Sequence, residues 1–265
     1  GYSAGLDFES VIFFKPGAAE LLRKAFSKRG YTPRPIALGS NTDPYQPVER
    51  DLRITRAILE TCLSFRHPVS IITKSAGVLR DLDLLAELAS MGLAHVAISV
   101  TTLDAKLART MEPRASTPTR RLSAITALSE AGVPVSIFTS PMIPGLNDHE
   151  LENLLGAGAK SGASHASYVL LRLPLEVEPL FKQWLSVERP LSAKKIMGLI
   201  ESTRGGKAYD SRFHARMRGE GPVADLIRAR FERACRANGL SRKVVPLRTD
   251  LFTVPEKESD QLSLF

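Results

Sequence analysis

Short apolar runs alternate with longer amphipathic segments through most of the chain. The apolar runs are nearly continuous and rich in β-branched residues, which is typical of strands buried on both faces of a parallel sheet. The predicted strands are residues 35–39, 69–73, 95–100, 133–139 and 167–173. The segments between them carry leucine and alanine at spacings of three and four, which predicts helices at residues 48–65, 78–91, 117–131 and 148–161. This alternation predicts an α/β fold of βα units.

The order of these elements favours a TIM-like barrel that is incomplete at its start. The strand spacing suits a barrel or a doubly wound sheet, but the chain contains neither GxGxxG nor GxxxxGK[ST], two phosphate-binding signatures of nucleotide-binding sheets. Residues 17–28 are predicted to form a helix that no predicted strand precedes. We therefore expect a parallel barrel without its first strand. Residues 35–39 would then form an open edge, prone to association unless residues 1–14 cover it.

The pattern changes after Pro174. Two helical segments, at residues 176–185 and 193–203, are followed by a glycine-rich basic stretch, and from residue 245 the chain is polar and interrupted by proline. We expect residues 1–175 to form the barrel core, residues 176–244 a helical basic region and residues 245–265 a disordered tail.

Composition and charge narrow the class of protein. The 265 residues are 43% hydrophobic and 24% charged, as in ordinary soluble proteins, and no apolar run approaches the length of a membrane span. No targeting leader is visible, so a cytoplasmic location is expected. The net charge is +8, and residues 204–243 hold eleven basic and four acidic residues. Such a surplus suits phosphate contacts with DNA or RNA, or a solvated helix face.

Polar side chains follow the predicted strands at the end where parallel barrels carry their active sites. Asp43, Lys74 and Arg172 supply charge, and short hydroxyl residues such as Ser99 and Thr101 accompany them. The set suits a small zwitterionic or polyhydroxy ligand, although strand ends and helix caps favour the same residue types for structural reasons. The five histidines show no HxH or HExxH spacing and the chain has no GxSxG, so zinc and serine-hydrolase sites are not favoured.

Five longer segments stand out beyond the strand ends. They read GSNTDPYQPVE at residues 39–49, ITKSAGVLRDLDLL at 72–85, SVTTLDAKLARTMEPRA at 99–115, AITALSEAGVPV at 124–135 and PMIPGLND at 141–148. In this order they resemble the radical S-adenosylmethionine superfamily, and within it the subgroup near spore photoproduct lyase. The resemblance covers residue 5 to about residue 239. It implies a partial (β/α)6 barrel with a C-terminal helical extension.

The resemblance implies that S-adenosylmethionine lies across the strand tips. A turn of polar residues would meet the methionine amino group, a lysine its carboxylate, and hydroxyl groups the ribose, so that each buried polar group of the ligand is paired. Glu112 either ion-pairs with Arg114 or contacts the ligand. The implied cofactor-binding residues are Asn41, Thr42, Asp43, Lys74, Ser99, Thr101, Glu112, Arg114 and Arg172.

The family's iron-sulfur motif is missing from this sequence. The family holds a 4Fe-4S cluster on a CxxxCxxC loop after its first strand, whereas Cys62 and Cys235 are isolated and too few for a cluster. We interpret the loop and the first strand as lost together upstream of Gly1. In the intact protein, the resemblance implies reductive cleavage of S-adenosylmethionine to a 5′-deoxyadenosyl radical that abstracts hydrogen from a substrate. The chain as given is expected to be inactive in that reaction.

The last five residues read QLSLF and resemble the pentapeptide with which bacterial repair and replication proteins bind the DNA sliding clamp. Leu262, Leu264 and Phe265, together with Gln261, would bind the clamp; the alternative is a frayed end without a partner. With the basic region and the lyase resemblance, this motif favours a nucleic-acid substrate, in DNA repair or base modification. The alternatives are a radical enzyme acting on tRNA or a small metabolite, and a catalytically silent scaffold bound to the clamp.

Overall fold

The computed structural model describes residues 11–212 and 215–255, and its centre is a sheet of five parallel strands. The strands are β1 (Ile36–Leu38), β2 (Val69–Thr73), β3 (Ala94–Ser99), β4 (Val135–Met142) and β5 (His165–Leu170). They lie side by side in chain order, and all four pairings are parallel. The predicted α/β fold with a partial barrel is therefore confirmed. Among the described strands β1 pairs with β2 alone, so it forms an edge of this sheet.

Helices connect the strands and continue after the last one. They are α1 (Ala18–Phe26), α2 (Glu49–Leu52), α3 (Ile54–Ser64), α4 (Leu82–Ser90), α5 (Ala105–Met111), α6 (Pro118–Glu130), α7 (Leu151–Lys160), α8 (Val177–Glu188), α9 (Ala193–Ser202), α10 (Ala215–Arg218) and α11 (Pro222–Ala237). Two short 3₁₀ helices, Ala76–Asp81 and Asp148–Glu150, precede α4 and α7. Helix α5 was not predicted; it is capped by Asp104, whose carboxylate accepts a hydrogen bond from the Lys106 backbone N–H at 2.7 Å.

The predicted helix at residues 48–65 is divided into α2 and α3 at Arg53. Arg53 adopts a left-handed backbone conformation with φ 49°. The break is stabilised by Thr55, whose N–H donates to Glu49 Oε1 at 2.6 Å and whose hydroxyl donates to the Pro44 carbonyl at 2.6 Å. These bonds tie the start of α3 to the loop that follows β1.

The main hydrophobic core lies between the sheet and its covering helices. All six residues of β3 are buried, as its continuous apolar sequence requires. Helix α11 also packs on the sheet, since Phe231 and Tyr168 of β5 bring their ring centroids to 4.7 Å. A second core joins α5 to α8 and α9 through Leu107, Leu185 and Ile196. The helical region from residue 176 therefore packs directly against the barrel.

Residues 241–255, which we call the C-terminal strap, cross the amino ends of the strands. The Arg248 N–H donates to the Gly92 carbonyl at 3.0 Å, and the Thr253 N–H donates to the Phe65 carbonyl at 3.1 Å. Phe252 enters an aromatic cluster, with its ring centroid 5.4 Å from that of Tyr31. Over residues 245–255 these contacts differ from the expected disordered tail. The rest of that tail, including QLSLF, lies outside the described residues.

Within residues 11–212 and 215–255, no helix has both the length and the apolar character of a transmembrane span.

Candidate cofactor-binding site

A cavity of about 440 Å³ opens at the carboxyl ends of β1 and β2, and we call it the strand-end cavity. This volume lies within the range of about 300–1,000 Å³ that small-molecule sites occupy. The position is also the one at which parallel barrels carry their active sites. The lining residues are Ile12, Asp43, Tyr45, Gln46, Pro47, Lys74, Ser75, Arg114 and Ala115.

The loop after β1 is fixed against β2 by Gly39 and Asp43. Gly39 has φ 92°, and a Cβ atom there would lie 1.9 Å from the Ile72 carbonyl oxygen, so the close crossing requires glycine. Asp43 Oδ1 accepts from the Thr73 hydroxyl at 2.6 Å and from a backbone N–H at 2.9 Å, while Oδ2 accepts from the Lys74 N–H at 2.7 Å. A carboxylate has about four acceptor positions, so these three bonds leave one unused in a residue that lines the cavity.

Lys74 belongs to a charged network centred on Glu112. Lys74 Nζ lies 2.7 Å from Glu112 Oε1. The other oxygen, Oε2, accepts from the Thr101 hydroxyl at 2.8 Å and from Arg121 Nη2 at 2.7 Å. The Glu112 side chain is 8% exposed and that of Lys74 is 36% exposed. An ammonium group has three donors, so Lys74 can hold Glu112 and still donate to a ligand in the cavity.

Arg121 fastens this network to the barrel, and the sequence reasoning missed it. Its side chain is 1% exposed. Nε donates to the Ser116 carbonyl at 2.7 Å and Nη1 donates to the Ser99 carbonyl at 3.0 Å. A signal was present in the sequence, because Arg121 lies on the face of α6 that also carries Ala124, Ile125 and Leu128, all of them buried.

Glu112 is ionised in this network. Burial is the largest single influence and would raise its pKa, but the charges of Lys74 and Arg121 and the hydrogen bonds from Lys74 and Thr101 together lower it below its ordinary value. The carboxylate is therefore the form that holds Lys74 at the edge of the cavity.

The other predicted site residues lie at varying distances from this centre. Ser99 and Thr101 are buried and do not line the cavity; Thr101 donates its hydroxyl to Glu112, and Ser99 offers its carbonyl to Arg121. Their contact with a ribose stays a prediction. Asn41 and Thr42 are exposed in the loop after β1 and do not line the cavity.

Arg172 and Arg114 have different surroundings. Arg172 follows β5, at the opposite edge of the sheet from β1, and its Nη2 donates to the Tyr209 hydroxyl at 3.3 Å. Its guanidinium carbon lies 5.9 Å from the centroid of the Tyr209 ring. The structure therefore does not bring Arg172 together with Lys74. Arg114 does line the strand-end cavity, while Glu112 pairs with Lys74 and Arg121.

Part of the positive charge at residues 204–243 is paired with acids. Arg204 is 2% exposed and donates to the Leu171 carbonyl at 3.1 Å. Several exposed or half-buried arginines of this region form ion pairs with carboxylates: Arg212 with Asp210 and Glu220, Arg228 with Asp225, Arg230 with Glu152, and Arg242 with Glu232. Four of these five carboxylates are the acidic residues already counted in this region, so pairing with Glu152 lowers the surplus of positive charge by one.

The chain's two cysteines do not suit metal binding. Cys62 and Cys235 are buried in α3 and α11, and burial raises their pKa to about 12 and about 11. Both are thiols at neutral pH, and two cysteines on separate helices are fewer than the three or four ligands that an iron-sulfur cluster needs. Among the described residues, no group of three or more histidine, cysteine, aspartate or glutamate side chains is placed to hold a metal ion.

Comparison with known sequences identifies the family. The sequence model of the radical SAM superfamily matches residues 18–157, and this chain belongs to that superfamily. The uncharacterized protein Rv2578c of Mycobacterium tuberculosis is 33% identical over 191 residues, which are 71% of this chain and 56% of that protein. The uncharacterized protein MJ0683 of Methanocaldococcus jannaschii is 36% identical over 115 residues, or 43% of each chain. This chain thus spans about half the length of these relatives.

Comparison with solved structures confirms the fold. Two mutants of spore photoproduct lyase superpose with a TM-score of 0.54, covering 84% of this chain and 64% of the lyase. Their sequences are 15% and 14% identical to this one. The similarity therefore concerns the arrangement of the barrel.

The two cofactors of the superfamily fit this chain differently. The strand-end cavity offers the carboxylate of Asp43 and the ammonium of Lys74, which match the amino and carboxylate groups of S-adenosylmethionine. A 4Fe-4S cluster does not fit the residues of this chain, since its two cysteines are buried thiols on separate helices.

Proposed function

We propose that the strand-end cavity binds the methionine part of S-adenosylmethionine. The observation that carries the proposal is that Asp43 and Lys74, from the ends of neighbouring strands, present opposite charges to one cavity. Glu112 holds Lys74 in position, and Arg121 holds Glu112. Tyr45 and Pro47 supply apolar surface that excludes water from the polar contacts.

S-adenosylmethionine, when bound beside a reduced cluster, supplies a 5′-deoxyadenosyl radical for hydrogen abstraction. The residues of this chain bind and orient the methionine group and do not hold the cluster. We therefore expect the chain as given not to cleave S-adenosylmethionine by itself.

The substrate we propose is nucleic acid, in DNA repair or base modification. Its support is the net charge of +8, the barrel shared with spore photoproduct lyase and the terminal QLSLF. A tRNA or metabolite substrate and a silent clamp-bound scaffold are the competing functions. The scaffold is favoured by one observation, the absence of cluster ligands among this chain's cysteines.

Equilibrium dialysis of labelled S-adenosylmethionine tests the cofactor site. Lys74→Ala removes a charge-assisted hydrogen bond worth about 1.5–3 kcal/mol, so we expect affinity to fall at least about tenfold. Lys106→Ala is the matched control, because Lys106 is exposed after the neighbouring strand β3 and does not line the cavity. Equal affinities for the wild type and the Lys74 variant would contradict the proposal.

Clamp binding is tested separately with the whole chain and a purified bacterial sliding clamp. We propose that Leu264→Ala with Phe265→Ala abolishes binding, since these side chains would fill an apolar groove. Ser263→Ala is the control and should bind like the wild type. If the double variant still binds the clamp, the proposal that QLSLF is the clamp-binding motif is wrong.

A further inference from the structure

A second cavity of about 440 Å³ adjoins the strand-end cavity. The two share a wall that includes Tyr45, Ser75 and Arg114. Four guanidinium groups line the second cavity, which we call the arginine groove: those of Arg50, Arg80, Arg114 and Arg120.

Positive charge exceeds negative charge along this groove. Of the described residues that line it, Glu49 alone is acidic. Its Oε1 accepts from the Thr55 N–H at 2.6 Å and lies 3.6 Å from Arg80 Nη2. Arg50 and Arg120 are exposed, and within the described part of the chain neither forms an ion pair. The groove therefore keeps positive charge for an anionic ligand.

Arg80 is held rigidly as one wall of the groove. Its Nη1 donates to the Glu49 carbonyl at 2.6 Å, and its Nε and Nη2 donate to the two oxygens of Asp81 at 3.0 and 2.7 Å. Asp81 is fully buried and also accepts from the Tyr45 hydroxyl at 3.1 Å. The charge of Arg80 is thus largely neutralised by Asp81. Arg50 and Arg120 are the side chains that can turn to a ligand.

We infer that the arginine groove binds the phosphodiester backbone of a nucleic-acid strand whose reacting nucleotide lies beside the cofactor in the strand-end cavity. Guanidinium groups recognise phosphate by paired hydrogen bonds, and several of them along one groove suit a ligand with repeated negative charges. The shared wall places such a strand next to the proposed cofactor site. The inference rests on the proposed nucleic-acid function and assigns its phosphate contacts to a surface outside residues 204–243.

Fluorescence anisotropy with labelled single-stranded DNA, and with RNA of the same sequence, tests this surface between 50 and 200 mM salt. Arg50→Ala with Arg120→Ala removes two phosphate contacts. The slope of log affinity against log salt should therefore fall in magnitude by about 1.4, or about 0.7 per contact. Replacing both by lysine should preserve the slope, because the charge is kept. Arg29→Ala with Arg34→Ala is the matched control, since both are exposed before β1 at the opposite end of the sheet.

The possible outcomes separate this inference from the broader proposal. If the wild type binds oligonucleotides but the Arg50 and Arg120 variant keeps the wild-type salt slope, the arginine groove does not bind the phosphates. The proposed nucleic-acid function would still stand. The same holds if the control variant lowers the slope equally. If the wild type binds no oligonucleotide, both fail, while cofactor binding is still judged by dialysis. If a 5′-mononucleotide competes as strongly as an unlabelled strand, the ligand of the groove is a small phosphorylated molecule, and the inference of a bound strand is wrong.

Discussion

Removing the Glu112 carboxylate should destabilise the protein strongly, because Arg121 would be left buried without its counter-charge. Breaking a buried ion pair by removing one partner costs about 3–5 kcal/mol. Arg121 is 1% exposed and its other two guanidinium nitrogens, Nε and Nη1, each donate to a backbone carbonyl, so the side chain cannot turn to water. Lys74 is 36% exposed and can be hydrated after the change. We therefore expect Glu112→Ala to lower the free energy of unfolding by about 3–5 kcal/mol.

Urea denaturation followed by circular dichroism measures this effect. Glu112→Ala combined with Arg121→Met should be at least about 1 kcal/mol more stable than Glu112→Ala alone, because the uncompensated charge is gone. Glu178→Ala is the control, since it breaks an exposed pair with Lys182 and should leave the free energy of unfolding nearly unchanged. A loss below about 1 kcal/mol for Glu112→Ala would refute the reasoning.

The pH dependence of the same variant provides a second check. The folded protein lowers the pKa of Glu112 below its ordinary value of 4.5. The stabilisation by the carboxylate is therefore fully present above about pH 4.5 and is lost as the pH falls through the lower folded value. The difference in unfolding free energy between wild type and Glu112→Ala should shrink correspondingly on acidification. A difference that stays constant down to pH 3 would contradict the assigned ionisation.

Three other positions give measurable outcomes. Burial, and then the charge of His165, lowers the pKa of His95 from 6.5 to about 4, so the unfolded chain gains its proton first on acidification. Stability should fall by about 3 kcal/mol between pH 6.5 and 4, and His95→Gln should flatten that fall in urea titrations. Gly39→Ala should cost at least about 1 kcal/mol and weaken S-adenosylmethionine binding in dialysis, whereas Gly17→Ala, in open space, should do neither. Phe252→Ala should cost about 2 kcal/mol by urea denaturation, and unchanged stability would show that the strap contributes nothing.

The strand ends could be located from the sequence because their apolar runs are continuous and parallel strands align their carboxyl ends. This reasoning placed Asp43 and Lys74 at one end of the sheet, and both line the strand-end cavity. It could not fix which way each side chain points. Thr101 lies at the same end, yet its hydroxyl donates to Glu112 and the residue does not line the cavity.

Contacts between distant segments escaped the sequence reasoning. Arg172 was placed correctly after the last strand, but its guanidinium packs against Tyr209, a contact that local periodicity does not contain. The strap was missed because its main contacts use backbone N–H groups, which every non-proline residue has. Arg121 was overlooked among neighbouring arginines, although its position on an apolar helix face distinguished it from Arg120.

The strap and the strand-end cavity lie at opposite ends of the sheet. Near its last described residue, the strap donates the Thr253 N–H to the Phe65 carbonyl, at the amino ends of the strands. The strand-end cavity opens at the carboxyl ends of the strands. The strap therefore stabilises the end of the strands opposite to the proposed cofactor site, so changes within it should alter folding stability without altering the residues that line the cavity.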